Sequence, residues 1–373
     1  MRVLTVNAGS SSLKLRLLGD DDESLASADL SALAGRAEAR ELEHALAGME
    51  GADAVGHRIV HGGTRFTGPT RLDAAAVAGL RELTPLAPLH QPAALEAMAA
   101  VGALLPDLPA VACIDTAFHA GLPAAASTYG LPRDWRERHG LRRFGFHGLS
   151  HAYASRRAAE MVGRGAAEAP GAGAAAAALR VVSCHLGAGA SLAAIDGGRS
   201  VDTTMGFTPV EGLVMATRSG SVDPGLLVWL LQHGGIGVDE LADALEHRSG
   251  LAGLAGTGDM RTVLEAARAG EEDAVLARDV YVHRLRALIA AMAAALGGLD
   301  ALVFTGGVGE RASEIRTRAA GGLAFLGVAV DAGRDAAAAP DADISAPGAA
   351  VRTLVIEARE DLEMARQVRA CLG

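Results

Sequence analysis

Lys14 is the only lysine in the chain, and it closes the run Asn7-Ala8-Gly9-Ser10-Ser11-Ser12-Leu13-Lys14. At every other position where a lysine or arginine occurs, the residue is arginine. Lysine offers a compact charge on a slim stem, whereas arginine brings a wide planar fork. A lone lysine after a Gly/Ser turn therefore points to a point charge aimed at a polyphosphate. The bland alternative is a lysine on a solvated strand face. A second small-residue turn, Gly187-Ala188-Gly189-Ala190-Ser191, follows the strand-like Arg180-Val181-Val182-Ser183-Cys184-His185-Leu186. Both turns can present backbone N–H groups and hydroxyls to phosphate oxygens. Neither is a P-loop, because no GxxxxGK[ST] run occurs.

Other segments carry chemistry of a complementary kind. Gly56-His57-Arg58-Ile59-Val60-His61-Gly62-Gly63 sets Arg58 among β-branched residues before a glycine pair, and Met215-Ala216-Thr217-Arg218-Ser219-Gly220 sets Arg218 among small polar residues. An arginine in a strand-end setting such as that of Arg58 is usually a salt-bridge partner, and the surroundings of Arg218 read as a loop. Cys113-Ile114-Asp115 ends an apolar strand in a carboxylate, the place where an α/β protein holds a magnesium-linked acid. His147 and His151 stand at helical spacing in Phe144-Gly145-Phe146-His147-Gly148-Leu149-Ser150-His151, but the glycines predict a loop, with His147 as a hydrogen-bond donor and His151 structural. Phosphoryl transfer needs these parts together: positioned phosphates, a divalent cation and positive charge where the transition state spreads negative charge.

The elements that must position these groups follow from pattern. Val3 to Val6 and Leu13 to Leu18 alternate around the first turn, and 180–186 and 192–195 flank the second, with 199–203 completing a meander. Two copies of strand, Gly/Ser turn and strand predict two related domains facing each other across a cleft. A third glycine turn, Thr305-Gly306-Gly307-Val308-Gly309-Glu310, follows the strand 301–304. Helical periodicity runs through 241–246, 261–269, 274–296 and 359–371, the third apolar enough for a central or interface helix. The stretch 163–178 reads as a surface connector and 20–23 as an acidic hairpin tip.

Bulk properties agree with a two-domain enzyme. The chain has 373 residues, half of them apolar and 21% charged, too many for one ordinary core. The net charge of −10 and the lack of a basic block argue against a nucleic-acid surface. Cys113, Cys184 and Cys371 form no CxxC or disulfide framework, no HExxH or zinc spacing occurs, and no signal or membrane-spanning run is evident. The expectation is a cytoplasmic enzyme without nucleic-acid or membrane partners.

Taken together, NAGSSSLK, GHRIVHGG, DTAFH, FGFHGLSH, CHLGAGAS, DTTMGFTPVEGLVMATRSGSVDP, GDMR and FTGGVGE make the chain resemble the acetate kinases, in the acetate and sugar kinase/Hsp70/actin superfamily, from Met1 to the C-terminus. The resemblance implies an α/β actin-like (ribonuclease H-like) fold with duplicated βββαβαβα cores. The first domain would take 1–117 plus 361–373, and the second 118–360, with the adenosine site and a homodimer interface. It implies reversible, direct in-line transfer of the ATP γ-phosphoryl to acetate, with Mg²⁺ or Mn²⁺, giving acetyl phosphate and ADP. By the same resemblance Arg58 and Arg218 hold the acyl group and the transferring phosphoryl, and His147 steadies the pentacoordinate phosphorus. Asp115 and Glu360 are tied to the metal, with Asn7 beside it. Val60, Leu89, Phe146 and Pro209 form the methyl pocket, with His90 near the phosphoryl. Ser10, Ser12 and Lys14 match one phosphate loop, and His185, Leu186, Gly187, Ala188 and Gly189 the other. Asp259, Met260, Arg261, Gly306, Gly307, Val308 and Gly309 match the adenosine site.

The chemistry is coherent, since a carboxylate acceptor is already anionic and needs no base, only relief of repulsion between two anions. Departures occur at Ala188, Ser221, Gln91, Arg311 and Arg359, where the family carries Asn, Asp, Asn, Asn and Asn. They leave open pyrophosphate or another triphosphate as donor. An apolar pocket also discriminates weakly against one more methylene, which leaves propionate or butyrate open as acceptor. A hydroxyl-directed sugar kinase is disfavoured for want of a base, and a non-catalytic nucleotide-binding module by the intact charged set.

Overall fold

The computed structural model describes residues 1–9, 12–31, 39–88, 90–163 and 178–373. Of the expected site residues, Ser10 and Leu89 lie outside them, as does most of the 163–178 connector. Strands β1 (Val3–Ala8), β2 (Ser12–Leu18), β3 (Ser24–Ser31), β4 (Ala54–Ile59), β5 (Thr70–Arg71) and β6 (Ala110–Ile114) form one sheet in the order β3-β2-β1-β4-β6-β5. Strands β7 (Arg180–Leu186), β8 (Ala190–Asp196), β9 (Arg199–Thr203), β10 (Ala301–Thr305), β11 (Ala342–Asp343) and β12 (Arg352–Val355) form a second, in the order β9-β8-β7-β10-β12-β11.

The two orders are the same arrangement repeated. In each, an antiparallel meander of three strands joins two parallel strands, and a short antiparallel strand closes the edge. Each Gly/Ser turn follows the first strand of its meander, so the two phosphate-loop candidates are equivalent by topology. The central parallel strands are buried almost throughout, as strands covered on both faces are, and β6 and β10 are nearly all apolar.

The chain divides into two compact units. The first comprises 1–120, 146–153 and 359–373, the second 121–145 and 154–358. In the first, Leu4, Val6, Leu13 and Leu15 pack on Leu42, Leu46, Ala97 and Val101 on one sheet face. Val3, Leu18, Val111 and Cys113 pack on Met364, Ala365 and Val368 of the C-terminal helix Glu360–Leu372 on the other. The resemblance places the boundary at 117 and 361. In the structure residues 118–120, 146–153, 359 and 360 group with the first unit, and the segments 115–119 and 146–148 meet closely. His119 Nε2 lies 3.1 Å from the Phe146 carbonyl, and the space a side chain at Gly148 would need is filled by the Asp115 carbonyl.

In the second unit, helix Glu272–Ala295 buries Ala277, Tyr281, Leu285, Ile289 and Met292, a stripe at three- and four-residue spacing. Two local expectations change. The 305–310 segment is no open turn, because helix Gly306–Arg311 begins directly at the end of β10. Likewise Gly148 opens helix Gly148–Met161, which puts His151 in its buried first turn.

Candidate active site

Three parallel strands of the first unit end side by side, and each delivers one polar group. Asn7 comes from β1, Arg58 from β4, and Asp115 directly follows β6. Crevices outside the carboxyl ends of such strands are where open α/β sheets bind ligands. Arg58 donates from Nε (3.0 Å) and Nη2 (2.6 Å) to Asp115 Oδ2, and from Nη1 to Asn7 Oδ1 at 3.2 Å. Asn7 Nδ2 donates to Glu360 Oε2 at 2.8 Å, and that oxygen lies 3.9 Å from Arg58 Nε. Glu360 reaches the cluster from the first turn of the C-terminal helix. Lys14 is the cross-strand partner of Asn7 and is exposed.

The electrostatics are unbalanced in a telling way. Burial on its own would lower the Arg58 pKa, but the charges of Asp115 and Glu360 and the Asp115 hydrogen bonds outweigh it and hold the guanidinium above its ordinary value. Asp115, 1% exposed, is pushed up by burial; Arg58 pulls it down, and the Glu360 charge pushes it up again. Two carboxylates thus face one guanidinium; Asp115 Oδ1 is buried and makes no close hydrogen bond among the described residues, although the Leu149 backbone N–H favours the charged carboxyl. An unspent oxygen on a carboxylate short of positive charge fits a hard cation. No group of three or more His, Cys, Asp or Glu that could hold a metal by itself occurs among the described residues. Mg²⁺ is ordinarily held by one or two carboxylates plus substrate oxygens, so the donor set fits.

The first unit also carries two of the apolar candidates. Val60 and Phe146 are buried, and the Phe146 ring meets His61 edge-on at 5.6 Å. His90 precedes helix Gln91–Leu104, and the buried Gln91 amide clamps His61 by accepting from its N–H and donating to its carbonyl, both at 3.1 Å. Gln91 thus acts as a brace for the histidine segment. His147 adopts φ +55, a left-handed conformation that a non-glycine residue holds only when its surroundings fix it.

The second unit carries the rest. Arg218 Nη1 donates to the Pro209 carbonyl at 3.0 Å, which joins two expected site residues. Burial lowers the Arg218 pKa, partly offset by Glu246. A cavity of about 430 Å³ is lined by Gly187 and Ala188 of the second turn, by Asp259, Met260 and Arg261, and by Gly307 and Val308. Gly306 and Gly309 are buried in the helix at its wall. Asp259 caps helix Met260–Ala269 and pairs with Arg261 at 2.7 Å. His185 and Leu186 belong to β7, Leu186 fully buried, and Gly189 closes the turn by accepting from Gly187 N–H. Sequence reading missed Ala216, Leu251, Leu264, Arg268, Tyr281 and Glu314 on the cavity wall. Of these only the helical periodicity of 261–269 could have pointed inward. A nucleoside fits a cavity of this size and mixed lining.

Known proteins resemble the chain along its whole length. The profile of the acetokinase family matches residues 32–366. An acetate kinase of Leifsonia xyli subsp. xyli is 44% identical over 396 aligned positions, covering 98% of this chain and 97% of that one. The crystal structure of Porphyromonas gingivalis acetate kinase superposes with TM-score 0.89 at 34% identity, covering all of both chains. A propionate kinase from Francisella tularensis subsp. tularensis SCHU S4 superposes with TM-score 0.87 at 32% identity over 98% of each. The fold is that of the actin-like ATPases, and the class is phosphotransferase with a carboxyl group as acceptor. The chain belongs to the acetokinase family, and its reaction is that of an acetate kinase.

Proposed function

We propose that the chain passes the γ-phosphoryl of ATP directly to a carboxylate oxygen of acetate, and back again, with the named residues in the following roles. The observation that carries this reading is the strand-end cluster: Arg58 bound to Oδ2 of Asp115, whose Oδ1 is left without a close hydrogen bond, with Glu360 3.9 Å from the same guanidinium. Arg58 and Arg218 bind and orient the two anions and offset the charge that spreads over the phosphoryl group in the transition state. His147, fixed in its left-handed conformation, donates to a transferring oxygen. No group has to remove a proton from the acceptor, which is ionised already. Asp115, Glu360 and Asn7 hold Mg²⁺, with Mn²⁺ as its substitute, and the ion when bound withdraws charge from the phosphate oxygens. Lys14 and the two small-residue turns receive phosphates. Gly187, Ala188, Asp259 to Arg261 and Gly306 to Gly309 receive the nucleoside.

We place the enzyme in the cytoplasm, where its three free cysteines stay reduced. No helix among the described residues is long and apolar enough to cross a membrane. Helix Pro224–His233 exposes Leu226, Val228, Trp229 and Leu231, and Val238 lies exposed just beyond, an apolar face that supports self-association through the second unit.

Trapping with hydroxylamine tests the reaction. Acethydroxamate is expected when ATP, Mg²⁺ and acetate are all present. ATP turnover that produces no hydroxamate from any short-chain acid would refute the reading. Rates over acetate, propionate and butyrate, and over ATP, GTP and pyrophosphate, fix the preferred pair.

A further inference from the structure

We infer that Tyr129 and Glu211 are positioning residues for the acyl-substrate side of the reaction; this rests on the reading above, in which Pro209 and Arg218 hold the acid. Between β9 and helix Pro224–His233 the chain runs through 204–223 without helix or strand, and both Pro209 and Arg218 ride on that stretch. A long irregular segment of this kind keeps a functional geometry only if it is tied down along its length.

The two limbs of the segment are held differently. The 215–219 limb is laced by backbone: Ala216 N–H donates to Ala188, Ser219 N–H to Leu245, and the N–H groups of Ser249 and Leu251 to Thr217 and Met215. The 204–211 limb is tied by backbone only at its start, Thr204 N–H donating to Leu192 and the Phe144 and Gly145 N–H groups to Gly206, and from Phe207 onward it is held by side chains. Arg143 Nη1 donates to the carbonyls of Thr204 and Met205, both at 3.1 Å. Phe207 N–H donates to Tyr129 Oη at 2.8 Å, and Tyr129 Oη donates in turn to Glu211 Oε2 at 2.7 Å. Arg143 Nη2 takes the other carboxylate oxygen, Oε1, at 2.6 Å.

Glu211 therefore spends both oxygens, and Tyr129 both donates and accepts. Together they close a ring around Gly206 to Glu211. The fit is tight, because a side chain at Gly206 would overlap Glu211 Oε2 and Tyr129 Oη. Burial, followed by the Glu211 hydrogen bond, raises the Tyr129 pKa above the ordinary phenol value, so Oη remains a donor at neutral pH. Inside the ring lies Pro209, whose carbonyl receives the 3.0 Å hydrogen bond from Arg218 Nη1. The pair touches neither substrate in this reading. Its work is to aim that carbonyl, and through it the guanidinium.

Steady-state kinetics of Tyr129→Phe in the full-length enzyme test this. Loss of one buried hydrogen bond to a charged acceptor is expected to raise KM for acetate roughly tenfold, with KM for ATP within a factor of about two, the ordinary spread for an untouched site. Glu211→Gln keeps an acceptor for Tyr129 and is expected to fall between wild type and Tyr129→Phe; it also serves if the phenylalanine variant does not fold. Unchanged KM for both substrates, or an equal rise in both, overturns the inference even if melting temperature falls. Arg218→Ala separates the two claims. If it turns over normally, the reading of Arg218 fails; if it is inactive while Tyr129→Phe behaves as wild type, only the positioning role fails.

Discussion

Arg58 is the residue on which the chemistry proposed for the first unit turns. It sets three donors on two acceptors, Asp115 Oδ2 and Asn7 Oδ1, from a single planar group. A lysine keeps the charge but cannot reproduce that fork. Arg58→Lys is therefore expected to lower kcat/KM by about a hundredfold or more, the scale of losing one preorganised transition-state donor. Its melting temperature should move little, because a positive charge still faces Asp115. Near-normal turnover in the folded variant would remove Arg58 from the reacting groups. Residues such as Arg58, Arg218 and Asp115 could be found from sequence because each stands in a motif with turn glycines or at a strand end. Tyr129 and Glu211 could not. They lie 82 positions apart; Glu211 stands in the run DTTMGFTPVEGLVMATRSGSVDP, but nothing there points to Tyr129, and only folding shows that one oxygen serves the other.

Among the elements, the join between Asp115 and helix Gly148–Met161 is the most tightly specified. The Asp115 carbonyl and the Phe118 Cβ occupy the space a side chain at Gly148 would enter. A methyl group there must push the helix start, and His147 with it, away from the Asp115 backbone. Gly148→Ala is expected to cost about 2 kcal/mol of stability, as overpacking does, and to reduce kcat together with stability. Urea denaturation and initial rates measure the two; a fully stable, fully active variant would mean that helix and strand end can part without consequence. Strands with β-branched alternation, such as β1, β7 and β9, were legible from sequence. Two-residue β5 and β11 were not, since they are too short to carry a period, and β3 alternates small and polar residues with little apolar signal. Gly306 to Gly309 read as a turn because glycine disfavours helix, and the tertiary contacts of the crossover from β10 override that preference.

At the scale of the whole molecule, duplication was visible in two strand–turn–strand segments, but not which distant pieces return to which unit. That depends on close backbone approaches with no periodic signature. The division has a consequence for acid stability. His57, His61 and His119 all lie in the first unit, and burial lowers each pKa to about 4, with the Phe146 carbonyl partly opposing at His119. In an unfolded chain the same rings titrate near 6.5. Between these values the unfolded state binds more protons, so stability is full above about pH 6.5 and falls as pH drops toward 4, by about 1.4 kcal/mol per pH unit for each fully linked histidine. Asp115, whose folded pKa is raised, works in the opposite sense, one group against three. Hydrogen exchange measured by peptide at pH 7.5 and 5, corrected for intrinsic rates, should therefore show β1, β4 and β6 losing protection before β7, β10 and β12. Equal loss in both sheets would mean that the two units open together and not by their own histidines, and no loss in the first would mean that the buried histidines find protons without unfolding; either outcome overturns the prediction.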